Sequence, residues 1–371
     1  ETARIMPTVF AIDLGDASMR IARWKESKLK GVVSSSDVIV NDYQKTFSPV
    51  SLVLKRGCLL VSGHGVININ SDRATVANHF KRLVGNNDLI KDLRQLIADK
   101  KVCENATLKG AEHAYITLAG TQFDVEALLS LILEYAFYIA SDEVKLYDNI
   151  TQIASTYASK VSGFLVSIPS YYSESHIKGI QMALDCKNLG EACFVRDNVA
   201  VAVDYGYNGN RVGNFDSQSR VVLFVDMGSV ATTCTVVRYE KNSMEILESR
   251  YIMLGGQDFS SSLCKHIKKL YLEEKSLDGL SPKMLQKMEY QFLNAADKVK
   301  CTFASGSIME ASVEIEDLNS DDDFVDVELS KEDVEDVWSG RKGGENLLGQ
   351  FDELVMHILQ SPLLKREVLT S

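Results

Sequence analysis

Two short segments of the same form, Asp13-Leu14-Gly15 and Asp226-Met227-Gly228, each end an apolar run and lie more than two hundred positions apart. The runs at residues 9–12 and 221–225 predict buried strands that deliver a carboxylate and then a glycine to a tight turn. Glycine lets backbone N–H groups approach phosphate oxygens, and an aspartate beside them can bind a hydrated magnesium ion. A single Asp-x-Gly is typical of an ordinary hairpin turn. The pair indicates a phosphate-binding cleft.

Length and charge narrow the class of protein. With 371 residues and 45% hydrophobic content, the chain can bury a large core in two domains or a two-lobed body. The net charge is -11, with acidic residues concentrated at 314–336, which disfavours nucleic acid as a partner. The most apolar stretch, 125–140, contains Glu126 and Glu134 at helical spacing. It predicts an amphipathic helix and no interaction with a membrane.

Several kinds of catalytic and metal site have little support. The seven cysteines include no C-x-x-C, the six histidines show no ligand spacing, and no G-x-S-x-G is present. We assign no ligand to the run Asp321-Asp322-Asp323, which lacks the spacing of a calcium loop. Neither Asp-x-Gly turn opens a G-x-G-x-x-G helix, and no Walker motif occurs, so the Rossmann and P-loop folds are excluded.

The order of predicted elements is similar in the two halves. A hairpin is expected over 9–24 and a strand pair at 52–54 and 59–61. A helix is expected over 173–184, with Ser173 as its N-cap and Gly190 closing it. A second helix is expected over 200–205, ending at Gly206, before the strand of Asp226 pairs with 233–239. Strands around a turn followed by helices predict a duplicated α/β unit with a cleft between the copies.

The chain resembles the nucleotide-binding domain of the seventy-kilodalton heat-shock chaperone superfamily over nearly its whole length. The resemblance rests on five blocks in the family's order, at residues 12–15, 80–85, 166–172, 255–259 and 311–318. It implies an α/β, two-lobed actin-like ATPase fold of duplicated ribonuclease-H-like units, with four subdomains around a central cleft. Lobe I would span 1–194, with a small subdomain at about 40–112. Lobe II would span 195–371, with one at about 261–335, and would be incomplete at its C-terminal end.

Residues 18–20, 197–198 and 226–229 are most similar to the large glucose-regulated branch of the endoplasmic reticulum. That resemblance implies a chaperone and nucleotide-exchange factor whose partner is the ATPase domain of a smaller heat-shock chaperone. Unfolded polypeptides would bind through modules absent from this chain. The sequons at Asn105 and Asn149 suit the lumen of the endoplasmic reticulum if their loops are exposed, and the cytoplasm is the alternative.

The resemblance also implies a site for ATP or ADP with magnesium. The expected nucleotide-binding residues are glycines of the turns, polar residues beside them and two residues of a later helix: Gly15, Asp16, Gly228, Ser229, Gly255, Gly256, Asp297 and Lys300. The expected metal contacts, made through water, are Asp13, Asp197 and Asp226. All four glycines have an alternative role as plain turn residues.

Departures from the family weaken the case for hydrolysis. Active members place two threonines after the first Asp-Leu-Gly, where this chain has Asp16 and Ala17. The position assigned to the family's phosphate-contacting lysine holds Ile67, and the arginine that flanks adenine is replaced by Cys301. Val230 in the second turn is β-branched and is expected to crowd a phosphate cradle.

Three functions follow from these observations. The first is a nucleotide-gated exchange factor and chaperone with weak or absent hydrolysis. The second is a competent magnesium-dependent ATPase, and the third is a degenerate scaffold that binds no nucleotide. A sugar kinase ranks behind them, because the blocks at 80–85 and 311–318 resemble the chaperones.

Overall fold

The computed structural model of the chain describes residues 8–25, 35–61, 75–85, 97, 102–109, 113–142, 161–211, 219–241, 243–304, 306–319, 323–362 and 364. The chain divides into two compact units, Glu1–Tyr205 and Gly206–Ser371. The lobes at 1–194 and 195–371 and their small subdomains stay predictions.

The described part of the first unit contains short strands, α-helices and a 3-10 helix. Its strands are β1 (Thr8–Leu14), β2 (Ser18–Lys25), β3 (Ser35–Val38), β4 (Ser48–Pro49), β5 (Ser51–Lys55), β6 (Cys58–Val61), β7 (Val76–Asn78), β8 (Ala106–Lys109), β9 (His113–Leu118), β10 (Thr121–Asp124), β11 (Val161–Ile168) and β12 (Cys193–Arg196). A 3-10 helix covers Lys81–Leu83, and the α-helices are α1 (Val125–Asp142), α2 (Glu174–Asp185) and α3 (Asp197–Arg211), which runs on into the second unit.

The main sheet of the first unit has the strand order β12-β11-β1-β2-β3, with β4 beside β2. Strands β1 and β2 form the predicted antiparallel hairpin, with Leu14 opposite Met19. On its other side β1 runs parallel to β11, with Ile12 opposite Val166. The predicted pair β5 and β6 is confirmed, and two smaller sheets have the orders β6-β5-β7 and β10-β9-β8.

Helix α1 confirms the amphipathic prediction for 125–140. Leu129, Ile132 and Leu133 are fully buried in the core of the first unit. Glu126 accepts a hydrogen bond from the Gly85 backbone, and Glu134 forms an ion pair with Lys187. Within the described part of the chain, no helix is long and apolar enough to cross a membrane.

Helix α2 begins after Ser173 and ends at Asp185, within one residue of the predicted end at Leu184, and Gly190 lies five residues beyond its end. The chain leaves the helix through Asn188, a non-glycine residue with positive φ, which sequence reasoning passed over in favour of the glycine. At its middle, α2 lies against the 80–85 block: a Cβ on Gly179 would lie 2.9 Å from the Gly85 nitrogen. This close approach packs α2 directly against the 80–85 block.

Helix α3 is longer than predicted, because Gly206 lies inside it and does not end it. A Cβ at Gly206 would lie 2.9 Å from the ring of Tyr239. The glycine therefore makes room for an aromatic ring, and the intrahelical hydrogen bonds continue past it.

The described strands of the second unit are β13 (Arg220–Met227), β14 (Thr232–Glu240), β15 (Ser243–Ile252), β16 (Glu310–Glu316) and β17 (Phe324–Ser330). Its helices are α4 (Gly256–Glu274), α5 (Pro282–Phe303), α6 (Lys331–Trp338) and α7 (Leu347–Leu359). Strands β13, β14 and β15 form an antiparallel sheet, which confirms that the strand of Asp226 pairs with residues 233–239. Helices α4 and α5 pack against the β16–β17 hairpin around Phe292 and Val299.

The β16–β17 hairpin alternates between buried apolar and exposed acidic side chains. Val325, Val327 and Leu329 of β17 are buried, whereas Asp326 and Glu328 are exposed. Strand β16 follows the same alternation in its second half. This period of two gives the hairpin one face in the core and one acidic face in water.

Asp317 joins this hairpin to α4 and predicts an acid-sensitive contact. Its carboxylate accepts hydrogen bonds from the Asn319 backbone (2.9 Å) and the Tyr271 hydroxyl (3.2 Å), and it lies 3.3 Å from the Lys275 ammonium. The Asn319 backbone N–H makes the largest contribution to lowering the pKa of Asp317 below its ordinary value, and Lys275 and Tyr271 lower it further. Burial raises the pKa of Tyr271 to about 12, so its hydroxyl stays a donor.

The pKa of Asp317 is lower in the folded state than in the unfolded state, so its ionised carboxylate stabilises the fold at neutral pH. This stabilisation is lost as the pH falls from about 4 through the folded pKa. Asp317→Asn is therefore expected to lower the melting temperature at pH 7 and to flatten its dependence on pH below about 4. Melting curves between pH 2 and 7 test this, with Asp326→Asn on the exposed face as the control. The same acid sensitivity in both variants would contradict the prediction.

Candidate functional site

The two Asp-x-Gly turns have the same backbone geometry. In the first, Gly15 N–H donates to the Ser18 carbonyl at 3.0 Å, and in the second, Gly228 N–H donates to the Ala231 carbonyl at 2.9 Å. Each turn joins the two strands of an antiparallel pair. The duplication inferred from sequence is therefore present as two matching hairpin turns, one in each unit.

The turns differ in how strictly they require glycine. A Cβ on Gly15 would lie 2.5 Å from the Ser18 oxygen, whereas one on Gly228 would lie 3.3 Å from the Ala231 oxygen. Val230 was expected to crowd a cradle, but its side chain is buried, with 4% exposure. Its bulk is therefore directed into the protein interior.

The start of helix α4 closes over the second turn. Gly256 N–H donates to the Gly228 carbonyl at 2.9 Å, and Gln257 N–H donates to the Ser229 carbonyl at 2.8 Å. Gly255 lies so close that a Cβ would be 2.5 Å from the Ser229 carbonyl oxygen. The four predicted residues of the second turn and helix start are thus neighbours.

Lys300 and Asp297 of α5 lie at the same place. The Lys300 ammonium donates to the Gly256 carbonyl (3.1 Å), to the Asp297 carboxylate (3.0 Å) and to the Ser260 hydroxyl. The Ser260 hydroxyl is also 2.6 Å from the Asp297 carboxylate. Ser260 was missed by sequence reasoning, although it lies one turn after Gly256 on α4. A lysine, a carboxylate and a hydroxyl beside a helix N-terminus suit a ligand that carries hydroxyl and phosphate groups.

In the first unit, Asp13 and Asp16 have different environments. The exposed Asp13 carboxylate accepts a hydrogen bond from the Ser167 hydroxyl at 2.9 Å and lies 3.5 Å from the Arg20 guanidinium. Asp16, in contrast, is buried, with 7% exposure. A buried carboxylate at this turn fits a phosphate group poorly, because like charges repel strongly where water is excluded.

Lys81 is the main residue that sequence reasoning missed. Its side chain is fully buried, and its ammonium donates to the Leu14 carbonyl at 2.5 Å and lies 3.9 Å from the Asp16 carboxylate. Burial lowers the pKa of Lys81, and three carboxylates oppose that shift: Asp16, Asp13 and Asp197. A cation therefore does lie at the first turn, supplied by the 80–85 block. Ile67, at the position predicted for the family's lysine, lies outside the described residues.

Asp197 and Asp226 hold different structural positions. The Asp197 carboxylate accepts hydrogen bonds from Ser170 N–H (3.0 Å) and Asn198 N–H (2.6 Å), at the first residue of α3. Asp226 lies in β13 opposite Thr233. Among the residues that the structure describes, no group of three or more His, Cys, Asp or Glu side chains is arranged to hold a metal ion. Water-mediated magnesium contacts by Asp13, Asp197 and Asp226 stay a prediction.

Comparison with known proteins agrees with this geometry. The sheets, the repeated turns and the α4–α5 cluster define an actin-like ATPase fold. A family model described as Hsp70 protein matches residues 9–341, and the chain belongs to the Hsp70 family.

Curated relatives share low identity over most of the chain. A heat shock protein homolog of Lachancea kluyveri is 26% identical over 90% of the chain and 45% of its own length. A heat shock protein homolog of Saccharomyces cerevisiae is 23% identical, with the same coverage. Hypoxia up-regulated protein 1 of Xenopus tropicalis is 23% identical over 97% of the chain and 53% of its own length. The chain spans about half the length of these relatives.

Proposed function

We propose that the chain is the nucleotide-binding part of a large Hsp70-family chaperone that binds ATP or ADP and hydrolyses ATP slowly or not at all. The observation that carries this proposal is the contrast between the two turns. The second turn retains a cluster of glycines with Lys300 and Asp297, which suits nucleotide binding. The first turn has the buried carboxylate of Asp16, which opposes the approach of a γ-phosphate.

Calorimetric titration with ATP and ADP, with and without magnesium, tests nucleotide binding. Lys300→Met is expected to lower the binding affinity for both ATP and ADP by about tenfold, because it removes a charged hydrogen-bond donor. Lys298→Met is the control, since Lys298 is an exposed lysine of the same helix. Equal affinities in the two variants would remove Lys300 from the site.

Asp13→Ala combined with Asp226→Ala is expected to abolish the effect of magnesium.

A competent ATPase is the second candidate, and Lys81 is the observation that favours it. Its ammonium, beside the first turn, is the kind of group that stabilises charge during phosphoryl transfer. Magnesium-dependent phosphate release above background would support this function. A degenerate scaffold, in contrast, would show no thermal stabilisation by ATP even at millimolar concentration.

We also propose that this protein acts in the endoplasmic reticulum as an exchange factor, with the ATPase domain of a smaller chaperone as partner. The likeness to proteins named as heat-shock homologues and hypoxia up-regulated protein supports a chaperone role. The sequon at Asn105 gives the compartment little support, because the amide of Asn105 donates to the Val76 carbonyl at 2.8 Å and is half-buried. Asn149 lies outside the described residues. Accelerated release of labelled ADP from a luminal chaperone, and not from a cytosolic one, would support both the exchange-factor role and the location in the endoplasmic reticulum.

A further inference from the structure

Lys81 is a buried cation that needs a counter-charge. Its side chain has no exposed surface, and its ammonium lies 5.1 Å from the centre of the Tyr172 ring. An ammonium removed from water is costly unless an anion and hydrogen-bond acceptors surround it. The Leu14 carbonyl supplies one acceptor. Among the described residues, Asp16 is the carboxylate within ion-pair distance of this ammonium.

The contact between Asp16 and Lys81 is an ion pair without a hydrogen bond. The two atoms are 3.9 Å apart, which is too long for a hydrogen bond. The same Asp16 oxygen, Oδ1, is buried and accepts no hydrogen bond from the described residues, and the Tyr172 hydroxyl is likewise buried and unsatisfied. The pair therefore supplies charge balance but leaves polar atoms without partners. A pair of this kind is easier to displace than one closed by hydrogen bonds.

We propose that Asp16 is a built-in competitor for phosphate, whose carboxylate serves as the counter-ion of Lys81 that a nucleotide phosphate would otherwise provide. The competitor role of Asp16 rests on the proposed function, because it requires that the phosphates of a bound nucleotide approach the first turn. A phosphate that reaches Lys81 must displace Asp16 or share the cation with it. The cost rises with the negative charge of the ligand, so the site selects against ATP more than against ADP and does not penalise adenosine.

Asp16→Asn tests this inference with a ligand series, because it removes the charge and keeps the shape of the side chain. We expect ATP to bind about tenfold more tightly, ADP to gain less, and adenosine to be unchanged, with affinities measured by calorimetry without magnesium. The matched control is Asp124→Asn, an exposed aspartate of the same unit that gives the same change in net charge. It is expected to leave all three affinities unchanged.

The outcomes separate this inference from the proposed function. If native protein and Asp16→Asn bind ATP equally, the competitor role is overturned while nucleotide binding stands. If neither protein binds ATP or adenosine, the proposed function fails and the competitor role with it. In that case the ligand-free protein still reports on the ion pair: Asp16→Asn should melt at a lower temperature than Asp124→Asn. An unchanged melting temperature would overturn the counter-ion assignment.

A double-mutant cycle with Lys81→Met tests whether Asp16 acts through the lysine. In the Lys81→Met background, the gain in ATP affinity from Asp16→Asn is expected to become several-fold smaller, because only the direct repulsion between carboxylate and phosphate is left to relieve. The same gain in both backgrounds would mean that Asp16 acts by direct repulsion alone, and would overturn the role of Lys81. The single-variant ligand series stands independently if Lys81→Met does not fold.

Discussion

Gly85→Ala is expected to lower the free energy of unfolding of the first unit by about 3 kcal/mol. Gly85 has φ of +60°, and an added Cβ would lie 2.1 Å from the backbone oxygen of Ser175. Ser175 is part of α2, so this overlap is relieved only by moving the helix away from the 80–85 block. Strain in the backbone and steric overlap therefore add together.

Gly57→Ala separates the two costs. Gly57 has φ of +79°, but its Cβ would meet no atom within 4 Å. It should cost only the left-handed conformation, about 1 kcal/mol. The chain has two tryptophans, Trp24 in the first unit and Trp338 in the second, so Trp24 fluorescence in a Trp338→Phe background reports on the first unit during urea unfolding. If Gly57→Ala and Gly85→Ala lower the free energy of unfolding equally, steric overlap at Gly85 does not contribute to the cost.

Gly255→Ala is expected to destabilise the second unit by about 2 to 3 kcal/mol and to abolish nucleotide binding. Its Cβ would lie 2.5 Å from the Ser229 carbonyl oxygen and 2.6 Å from the Val230 nitrogen. Both are backbone atoms of the second turn. Accommodating the methyl group would push the turn away from the start of α4, on which the candidate site depends.

The neighbouring glycine provides the control for Gly255→Ala. A Cβ on Gly256 would have no neighbour nearer than 3.7 Å, and Gly256 is the first residue of α4. Gly256→Ala should therefore change stability by less than about 0.5 kcal/mol. Trp338 reports on this region in a Trp24→Phe background, because its ring contacts Phe259 of α4 at 5.1 Å. If Gly256→Ala destabilises the unit as much as Gly255→Ala, close packing is not the cause.

Local patterns were sufficient to predict the turns and the strands around them. An apolar run followed by Asp-x-Gly specifies a strand and a tight turn through nearby residues alone, and both turns have the expected glycine. The amphipathic helix at 125–140 follows from its spacing in the same way. These features are determined by residues close together in the chain, so the local pattern of apolar, polar and turn residues is enough to predict them.

Other features depend on contacts between distant residues and were not predictable. Lysine is a residue type that usually lies on the surface, yet Lys81 is buried and its ammonium contacts the carbonyl of Leu14, sixty-seven positions away. Gly206 is of the residue type that commonly ends a helix, yet it lies within α3 and makes room for Tyr239 of β14. Burial of a lysine and close packing at a glycine both depend on which elements meet, and a single sequence does not give that information.

The acidic face of the β16–β17 hairpin has a consequence for association between molecules. A two-stranded ribbon with open edges is a template for further strands, and like charges in a row discourage such pairing. Glu314 and Asp326 lie opposite each other on this ribbon, and Glu328 continues the row. When two copies of the chain meet edge to edge, these rows repel each other. Pairing of two copies through this ribbon is therefore disfavoured, and most strongly at low salt, where the charges are least screened.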